Sequence, residues 1–118
     1  MSFTKRRERR QMTVEGLLKN GFGAVAVPKP QREITGVYIG DLLSWVMGRA
    51  QPGDAWITIM SNANIVAVAS LADTACIIAA ENVEIPDDVK KTAEEKGINI
   101  LSFSGSAYEA AVKIHSLL

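Results

Sequence analysis

Small polar side chains follow the apolar runs of this sequence, at points where a parallel sheet would expose them. Asp41 follows one run, Asn62 and Asn64 follow the next, and Ser104 and Ser106 follow the last. Ligands of open parallel sheets bind beyond the carboxyl ends of the strands. Hydroxyl, carboxamide and carboxylate groups there suit hydrogen bonding to a polar ligand. We therefore predict a ligand-binding edge, although each of these residues also suits a turn or a helix cap.

The residues that could support catalysis are poorly arranged for it. The sequence contains neither a G-x-x-x-x-G-K-[ST] phosphate loop nor a G-x-G-x-x-G turn,. The single histidine, His115, falls on a helical spacing near the C-terminus, and Cys76 lies in an apolar run where burial should raise its pKa,. Asp87 and Asp88 are adjacent, and adjacent side chains on a helix point apart. We expect no catalytic site, no metal site and no cofactor.

A strand–helix–strand unit positions the predicted binding edge. Ile34–Ile39 is β-branched and aromatic, as in a buried strand, and the apolar spacing then becomes helical over residues 42–50,. Turn residues at 52–54 precede a second apolar run, Ala55–Met60,. Such crossovers are right-handed in nearly all proteins and place both strands in a parallel sheet. The unit therefore predicts an α/β fold.

The alternation of strands and helices continues on both sides of this unit. Upstream, Thr13 is a candidate N-cap for a short helix that precedes a strand over residues 22–27. Downstream, the pattern predicts helix Asn64–Ala72, strand Ala75–Ala80, a polar helix from Pro86 to Gly97, strand Ile98–Phe103, and a terminal helix that Ser106 and Glu109 begin as a capping box,. We predict one three-layer domain over residues 12–118, with about five mainly parallel strands.

Self-association is suggested by the helix predicted at Asn64–Ala72. Its residues are apolar nearly all round, so it should be buried on more than one side,. One side meets the sheet, and another copy of the chain can cover the other side in a homodimer. The alternative is an ordinary core helix that its own domain encloses.

The composition indicates a cytoplasmic protein with an uneven distribution of charge. The chain has 118 residues, 47% of them hydrophobic, a single cysteine and a formal net charge of zero. No apolar run reaches the ~20 residues that span a bilayer. Five basic residues within the first ten, Lys5, Arg6, Arg7, Arg9 and Arg10, form an arm over residues 1–11 that we expect to be poorly ordered,. Without interleaved aromatic residues or a second basic patch, the arm is not expected to bind nucleic acid.

The segment QREITGVYIGD, which begins at Gln31, resembles the signature of the DRTGG domain. In that signature Asp-Arg is followed, after two variable residues, by Thr-Gly-Gly. Arg32, Thr35 and Gly36 correspond to the family's Arg, Thr and first Gly, whereas Gln31 and Val37 replace its Asp and second Gly. If the motif binds a ligand, these replacements alter the site, and if it is structural they matter little.

Further blocks downstream are similar to those of stand-alone DRTGG proteins, so the resemblance covers about residues 12–118. It implies a fold like the N-terminal domain of HPr kinase/phosphorylase and the middle domain of long phosphotransacetylases, which are not catalytic. Genes of stand-alone relatives are sometimes found near genes of iron-hydrogenase and redox-signalling proteins. The resemblance therefore implies regulation in anaerobic redox or hydrogenase metabolism.

Our leading hypothesis is a non-catalytic regulatory module, a homo-oligomer that binds a small anionic metabolite or nucleotide and acts on a protein partner. The candidate ligand-binding residues are Arg32, Thr35, Gly36, Asp41, Asn62, Asn64, Ser104 and Ser106. The alternative is a ligand-free interaction or scaffold subunit. A third hypothesis is a kinase that acts on protein serine. The sequence lacks the phosphate loop that this activity would require.

Overall fold

A computed structural model of the chain describes residues 11–118, and the basic residues of the predicted arm lie outside them. Five helices and five strands lie within this range, and they alternate except that β2 follows β1 without a helix between them. In chain order they are α1 Val14–Leu18, β1 Gly23–Ala26, β2 Gly36–Ile39, α2 Leu43–Arg49, β3 Asp54–Thr58, α3 Asn64–Ala72, β4 Cys76–Ala79, α4 Asp87–Lys96, β5 Ile100–Ser102 and α5 Ala107–Leu117.

The five strands form one mixed sheet in the order β1-β5-β4-β3-β2. Strands β2 to β5 are parallel, and each lies beside the next one along the chain, as repeated βαβ units require,. The predicted α/β fold with a mainly parallel sheet is confirmed. β1 differs because it pairs antiparallel with β5 at the far edge of the sheet. No helix connects β1 to β2, so the crossover rule does not constrain its direction.

Helices cover both faces of the sheet, which confirms the predicted three layers. Trp56 and Ile57 are adjacent in β3 and both are 0% exposed, because their side chains enter different clusters on opposite faces,. On the first face, Trp56 packs with buried residues of α2, α3 and α4, a group that we call cluster 1. On the second face, Ile57 packs with buried residues of α1 and α5.

Local sequence signals set several helix ends as predicted. Thr13 is the N-cap of α1, and its hydroxyl accepts a hydrogen bond from the Gly16 amide (3.2 Å),. Both hydrogen bonds of the capping box between Ser106 and Glu109 are present at the start of α5. Gly97 ends α4 in the left-handed conformation, with φ of 74°,.

Among residues 11–118, no helix is long and apolar enough to cross a membrane.

Helix α3 has the bounds that its pattern predicts and lies between α2 and α4. Five of its nine residues are buried, namely Ile65, Val66, Val68, Ala69 and Ala72. Its apolar character is therefore explained largely by neighbours within the same domain. Only part of its outer side is open, where Leu71 is 76% exposed.

Gly53 is held in a conformation that side chains disfavour. It has φ of 87° in the turn before β3, and a Cβ atom there would clash with the hydroxyl of Thr35. We expect Gly53→Ala to lower the free energy of unfolding by about 1–3 kcal/mol, because it adds backbone strain and steric overlap. Chemical denaturation would measure this loss.

Gly48 provides the matched control for Gly53. It lies inside α2, and a Cβ atom there would meet nothing within 4 Å. Gly48→Ala should raise the free energy of unfolding by up to about 1 kcal/mol, because alanine loses less backbone entropy in a helix. Equal losses in the two variants would contradict this account.

Candidate functional site

The eight predicted site residues divide between opposite edges of the sheet. Strands β2 to β5 begin at one edge, which we call the amino edge, and end at the other, the carboxyl edge. Five of the predicted residues follow strands and lie at the carboxyl edge, namely Asp41, Asn62, Asn64, Ser104 and Ser106. Arg32, Thr35 and Gly36 precede or begin β2 and therefore lie at the amino edge. The structure does not bring the eight together into one site.

Residues at the carboxyl edge make hydrogen bonds that stabilise their own loops. An Asp41 carboxylate oxygen accepts bonds from the Thr58 hydroxyl (2.6 Å) and the Ile59 amide (2.9 Å). The Asn62 side chain accepts from the Asn64 amide (2.9 Å), and the Ser106 hydroxyl caps α5. These bonds join the strand ends to the helix starts. A structural role therefore accounts for most of these side chains, and ligand binding by them stays a prediction.

Two consecutive residues at this edge, Glu81 and Asn82, have left-handed backbone with φ of 60° and 57°. Such strain often accompanies function. Here the amide of Glu81 donates to the Gly105 carbonyl (2.8 Å) and that of Asn82 to the Phe103 carbonyl (3.0 Å). The strained turn therefore anchors the loop after β5 to the end of β4.

The predicted residues of the amino edge hold three strand starts together. The amide of Thr35 donates to the Gly53 carbonyl (2.9 Å), and the Gly53 amide donates to the Asp73 carbonyl (3.0 Å). That same carbonyl accepts a 2.8 Å bond from Arg32 Nη2, while Nη1 lies 3.1 Å from an Asp73 carboxylate oxygen. A Cβ atom on Gly36 would come within 2.5 Å of an Asp54 side-chain oxygen. The motif thus has a structural role at the starts of β2, β3 and β4.

The two departures from the family signature also have a place in this structure. Gln31 is exposed, and its side-chain amide donates to the Glu15 carboxylate of α1. Val37 is half-buried in β2 and packs against the apolar cluster beneath α1 and α5. The hydrogen bonds of Arg32 to Asp73 are present alongside both replacements.

A small cavity of about 140 Å³ opens at the amino edge between the starts of β4 and β5. Arg32 is the only one of the eight predicted residues that lines it. The other polar residues of its wall are Lys29, Ser70, Asp73, Thr74, Lys96 and Asn99. We call it the amino-edge cavity. Two further cavities stand out within residues 11–118, and none of the three is lined by the five predicted residues of the carboxyl edge.

Asn99 shapes the wall of the amino-edge cavity and is 2% exposed. Its side-chain oxygen accepts from the Lys29 amide (2.9 Å), and its Nδ2 donates to the carbonyls of Lys29 (2.8 Å) and Ala75 (3.0 Å). These bonds fix the segment after β1 against the starts of β4 and β5. Sequence patterns did not identify Asn99. An asparagine is common in loops, and the sequence does not show which hydrogen-bond partners distinguish a buried one.

Charge around the amino-edge cavity is mostly positive. Arg32, Lys29 and Lys96 contribute three cations, and Asp73 contributes the one carboxylate of the wall. Helices α3 and α4 both end here, and each helix end carries roughly half a negative charge,. The formal surplus of two positive charges is thus reduced to about one. This arrangement can attract an anion, and it offers no base suited to proton transfer.

Other chemistry is poorly supported in the described part of the chain. No three His, Cys, Asp or Glu side chains within residues 11–118 group closely enough to hold a metal ion. His115 is exposed on α5, as its spacing predicted. Cys76 is 1% exposed, and burial raises the pKa of its thiol to about 12, with the nearby Arg32 charge acting in the opposite direction. The predicted increase in this pKa is confirmed.

Burial of Cys76 predicts a specific loss of stability in alkali. The unfolded chain loses the thiol proton near pH 9.0, whereas the folded chain keeps it until about pH 12. The thiol therefore favours folding fully below pH 9.0, and above it stability should fall by about 1.4 kcal/mol per pH unit. Urea denaturation between pH 8 and 10.5 measures this slope. Cys76→Ala is the control, because other groups titrate alike in both proteins, and identical slopes would contradict the prediction.

Comparison with known proteins gives a family and a fold. A model of the DRTGG domain matches residues 24–117. Among solved structures, the chain is similar to the CBS and DRTGG domains of the regulatory region of Clostridium perfringens pyrophosphatase, complexed with the activator diadenosine tetraphosphate. The TM-score is 0.69 at 15% sequence identity. The match covers 83% of this chain and 44% of the other, which is less than half of the solved relative. No curated protein matches the sequence.

Proposed function

Because this chain belongs to the DRTGG domain family, we propose that it is a non-catalytic regulatory module that binds a small anionic metabolite or nucleotide and acts on a protein partner. The solved relative supports a regulatory role, since its DRTGG domain belongs to a regulatory region crystallised with a nucleotide activator. In this proposal residues 12–118 act as one domain in the cytoplasm. The resemblance to stand-alone members supports a partner in anaerobic redox metabolism.

The surplus of positive charge around the amino-edge cavity is the observation that carries this proposal. Within residues 11–118, neither Lys29 nor Lys96 has a carboxylate within 4 Å, and both line the cavity beside Arg32. An anion that enters can therefore pair with cations that no carboxylate of residues 11–118 neutralises,. The five carboxyl-edge residues remain candidates for a separate ligand contact at the opposite edge of the sheet.

A thermal-shift screen of the full chain tests ligand binding. The compounds are adenine mononucleotides, diadenosine tetraphosphate, cyclic dinucleotides, phosphorylated sugars and acyl phosphates, with uncharged nucleosides as controls. A ligand at a hundred times its dissociation constant adds about 2.7 kcal/mol and raises the melting temperature by several degrees. We expect an anionic compound to give such a shift. An unchanged melting temperature with every anion at saturating concentration would contradict the proposal.

A second candidate function, a homo-oligomeric scaffold subunit, is favoured by apolar surface around α2. Leu42, Trp45 and Met47 are each about half exposed, as are Ile39 and Ile59 at the ends of the neighbouring strands. A separate apolar cavity of about 370 Å³ lies between α3 and α4, and α3 separates it from α2. Contiguous exposed apolar residues commonly mark interaction surfaces. The α2 surface thus supports self-association better than the outer side of α3, which offers mainly Leu71.

Sedimentation at micromolar concentrations tests the scaffold function. We expect a dimer that Met47→Glu dissociates, because a buried unpaired charge at an interface is costly. Val112→Glu on α5 is the control, since Val112 is equally half exposed on the opposite face. A wild-type monomer, or dissociation by both variants alike, would count against an interface at α2. A dimer that no anion affects would favour the scaffold over the ligand-binding module.

A further inference from the structure

We propose that the amino-edge cavity is a phosphoryl-binding site, in which Lys29, Lys96, Arg32 and Thr74 hold the oxygen atoms of one tetrahedral oxyanion. This inference rests on the proposed function and specifies its ligand class and site. The shared chemistry is a phosphoryl group, which free phosphate or the terminal group of a phosphorylated metabolite can supply.

A buried hydroxyl without a partner points to a ligand in this cavity. Thr74 lines it and is 6% exposed, and its Oγ1 has no hydrogen-bond partner in the described part of the chain. Buried polar atoms are nearly always hydrogen-bonded, and an unpaired one is unfavourable. The hydroxyl oxygen is itself enclosed, so a phosphoryl oxygen reaches it only after the Thr74 side chain turns toward the cavity, and the bond made in this way would satisfy the hydroxyl,. Asn99 cannot serve in this way, because its oxygen and amide group already bond to backbone.

The positive groups come from three parts of the chain and surround the same space. Lys29 follows β1, and its side chain lies against Gly97, close enough that a Cβ atom there would approach Nζ to 3.2 Å. Lys96 is the last residue of α4. Arg32 reaches the cavity from the segment before β2 and is 32% exposed. The positive charge of these three side chains exceeds the combined negative charge of Asp73 and the two helix ends. The cavity therefore keeps a net positive charge that attracts an anion.

The size of the cavity limits the ligand to one group. Its volume of about 140 Å³ corresponds to between four and five molecules of liquid water at ~30 Å³ each,. Pockets for whole drug-sized ligands start at about 300 Å³. A nucleotide can therefore insert only a terminal phosphate, and its sugar and base must lie outside. We expect affinity to depend on the terminal phosphoryl group and only weakly on the base.

Entry of a phosphoryl group also bears on the Arg32–Asp73 pair. Arg32 Nη1 is 3.1 Å from the Asp73 carboxylate, so a ligand oxygen competes with that carboxylate for the guanidinium. Asp73 lies at the C-cap of α3 with φ of 58°. The second bond of Arg32, to the Asp73 backbone carbonyl, does not involve the carboxylate and can persist. Binding thereby alters the connection between α3 and β4 without releasing the start of β2.

Isothermal titration of the full chain with inorganic phosphate, AMP and adenosine tests the site. We expect phosphate and AMP to bind and compete, and adenosine not to bind. Lys29→Gln, Lys96→Gln and Thr74→Val should each weaken AMP binding about tenfold, since each lysine variant removes a positive charge and Thr74→Val removes a hydroxyl donor. Lys91→Gln, an exposed change on α4, is the matched control and should change affinity less than twofold. The basic N-terminal residues are identical in all variants and do not affect these ratios.

Amide NMR spectra of each variant establish that it is folded and locate the ligand. Shifts concentrated at Thr74, Gly97 and Asn99 on adding phosphate would support the site. If an anion from the thermal screen binds every variant equally, the phosphoryl site is refuted while the regulatory module stands. Binding of adenosine as tight as that of AMP would also refute it. Absence of any anion binding would overturn both proposals.

Discussion

Trp56→Ala is expected to lower the free energy of unfolding by about 3–5 kcal/mol. The indole is 0% exposed within cluster 1, and its Nε1 donates a 2.9 Å hydrogen bond to the Gly40 carbonyl. Alanine leaves a cavity between β3 and the helices of the first face and removes the partner of that carbonyl. A small domain is stable by only about 5–15 kcal/mol. The variant should therefore unfold at much lower urea concentration, as measured by circular dichroism.

The other tryptophan, Trp45, is the matched control. It is 52% exposed, and the Arg49 guanidinium lies 3.7 Å from the centre of its ring. Trp45→Ala should cost only about 0.5–1 kcal/mol, the size of an exposed cation–π contact. Similar losses in the two tryptophan variants would show that cluster 1 is not the stabilising core.

Asn99→Ala should be the next most damaging change, with an expected loss of about 2–4 kcal/mol. It removes three hydrogen bonds, and two of them hold the backbone of Lys29. The groups left behind are partly buried and have no replacement partner in the side chain of alanine. Urea denaturation measures the global loss.

Hydrogen exchange gives the local test for Asn99. The Lys29 amide should lose its protection in Asn99→Ala, because its acceptor is the Asn99 side chain. Asn64→Ala is the control, since Asn64 is exposed at the start of α3 and should cost little,. Unchanged protection at Lys29 would contradict the role assigned to Asn99.

Local signals in the sequence predicted the fold well where neighbours along the chain determine it. The bounds of α3, the capping box of α5 and the glycine end of α4 depend on spacing and on residues within one turn of each other. The βαβ repeat likewise follows from alternation and a handedness rule. The direction of β1 could not be predicted in this way, because its partner β5 is distant in sequence and no crossover links them.

The candidate site was harder to predict because its parts meet only through the topology. Arg32 and Asp73 are 41 residues apart, and Lys29 and Asn99 are 70 apart. No periodicity connects such residues. The sequence nevertheless indicated which edge Arg32, Thr35 and Gly36 occupy, because residues that precede or begin a parallel strand lie at its amino edge. Their position before or at the start of β2 places these three at the edge opposite the five residues that follow strands.

Strand order has a consequence for how the chain assembles. Strands β3, β4 and β5 each pair with the strand that precedes them in the chain. Gly23 in β1 instead pairs with Ser102, so this contact closes a loop of about eighty residues. Such long closures slow folding. Lys29 lies three residues after the end of β1 and lines the amino-edge cavity. A ligand that bridges Lys29 and Lys96 would therefore hold β1 against β5. Bound ligand would slow the local opening of the sheet at this edge.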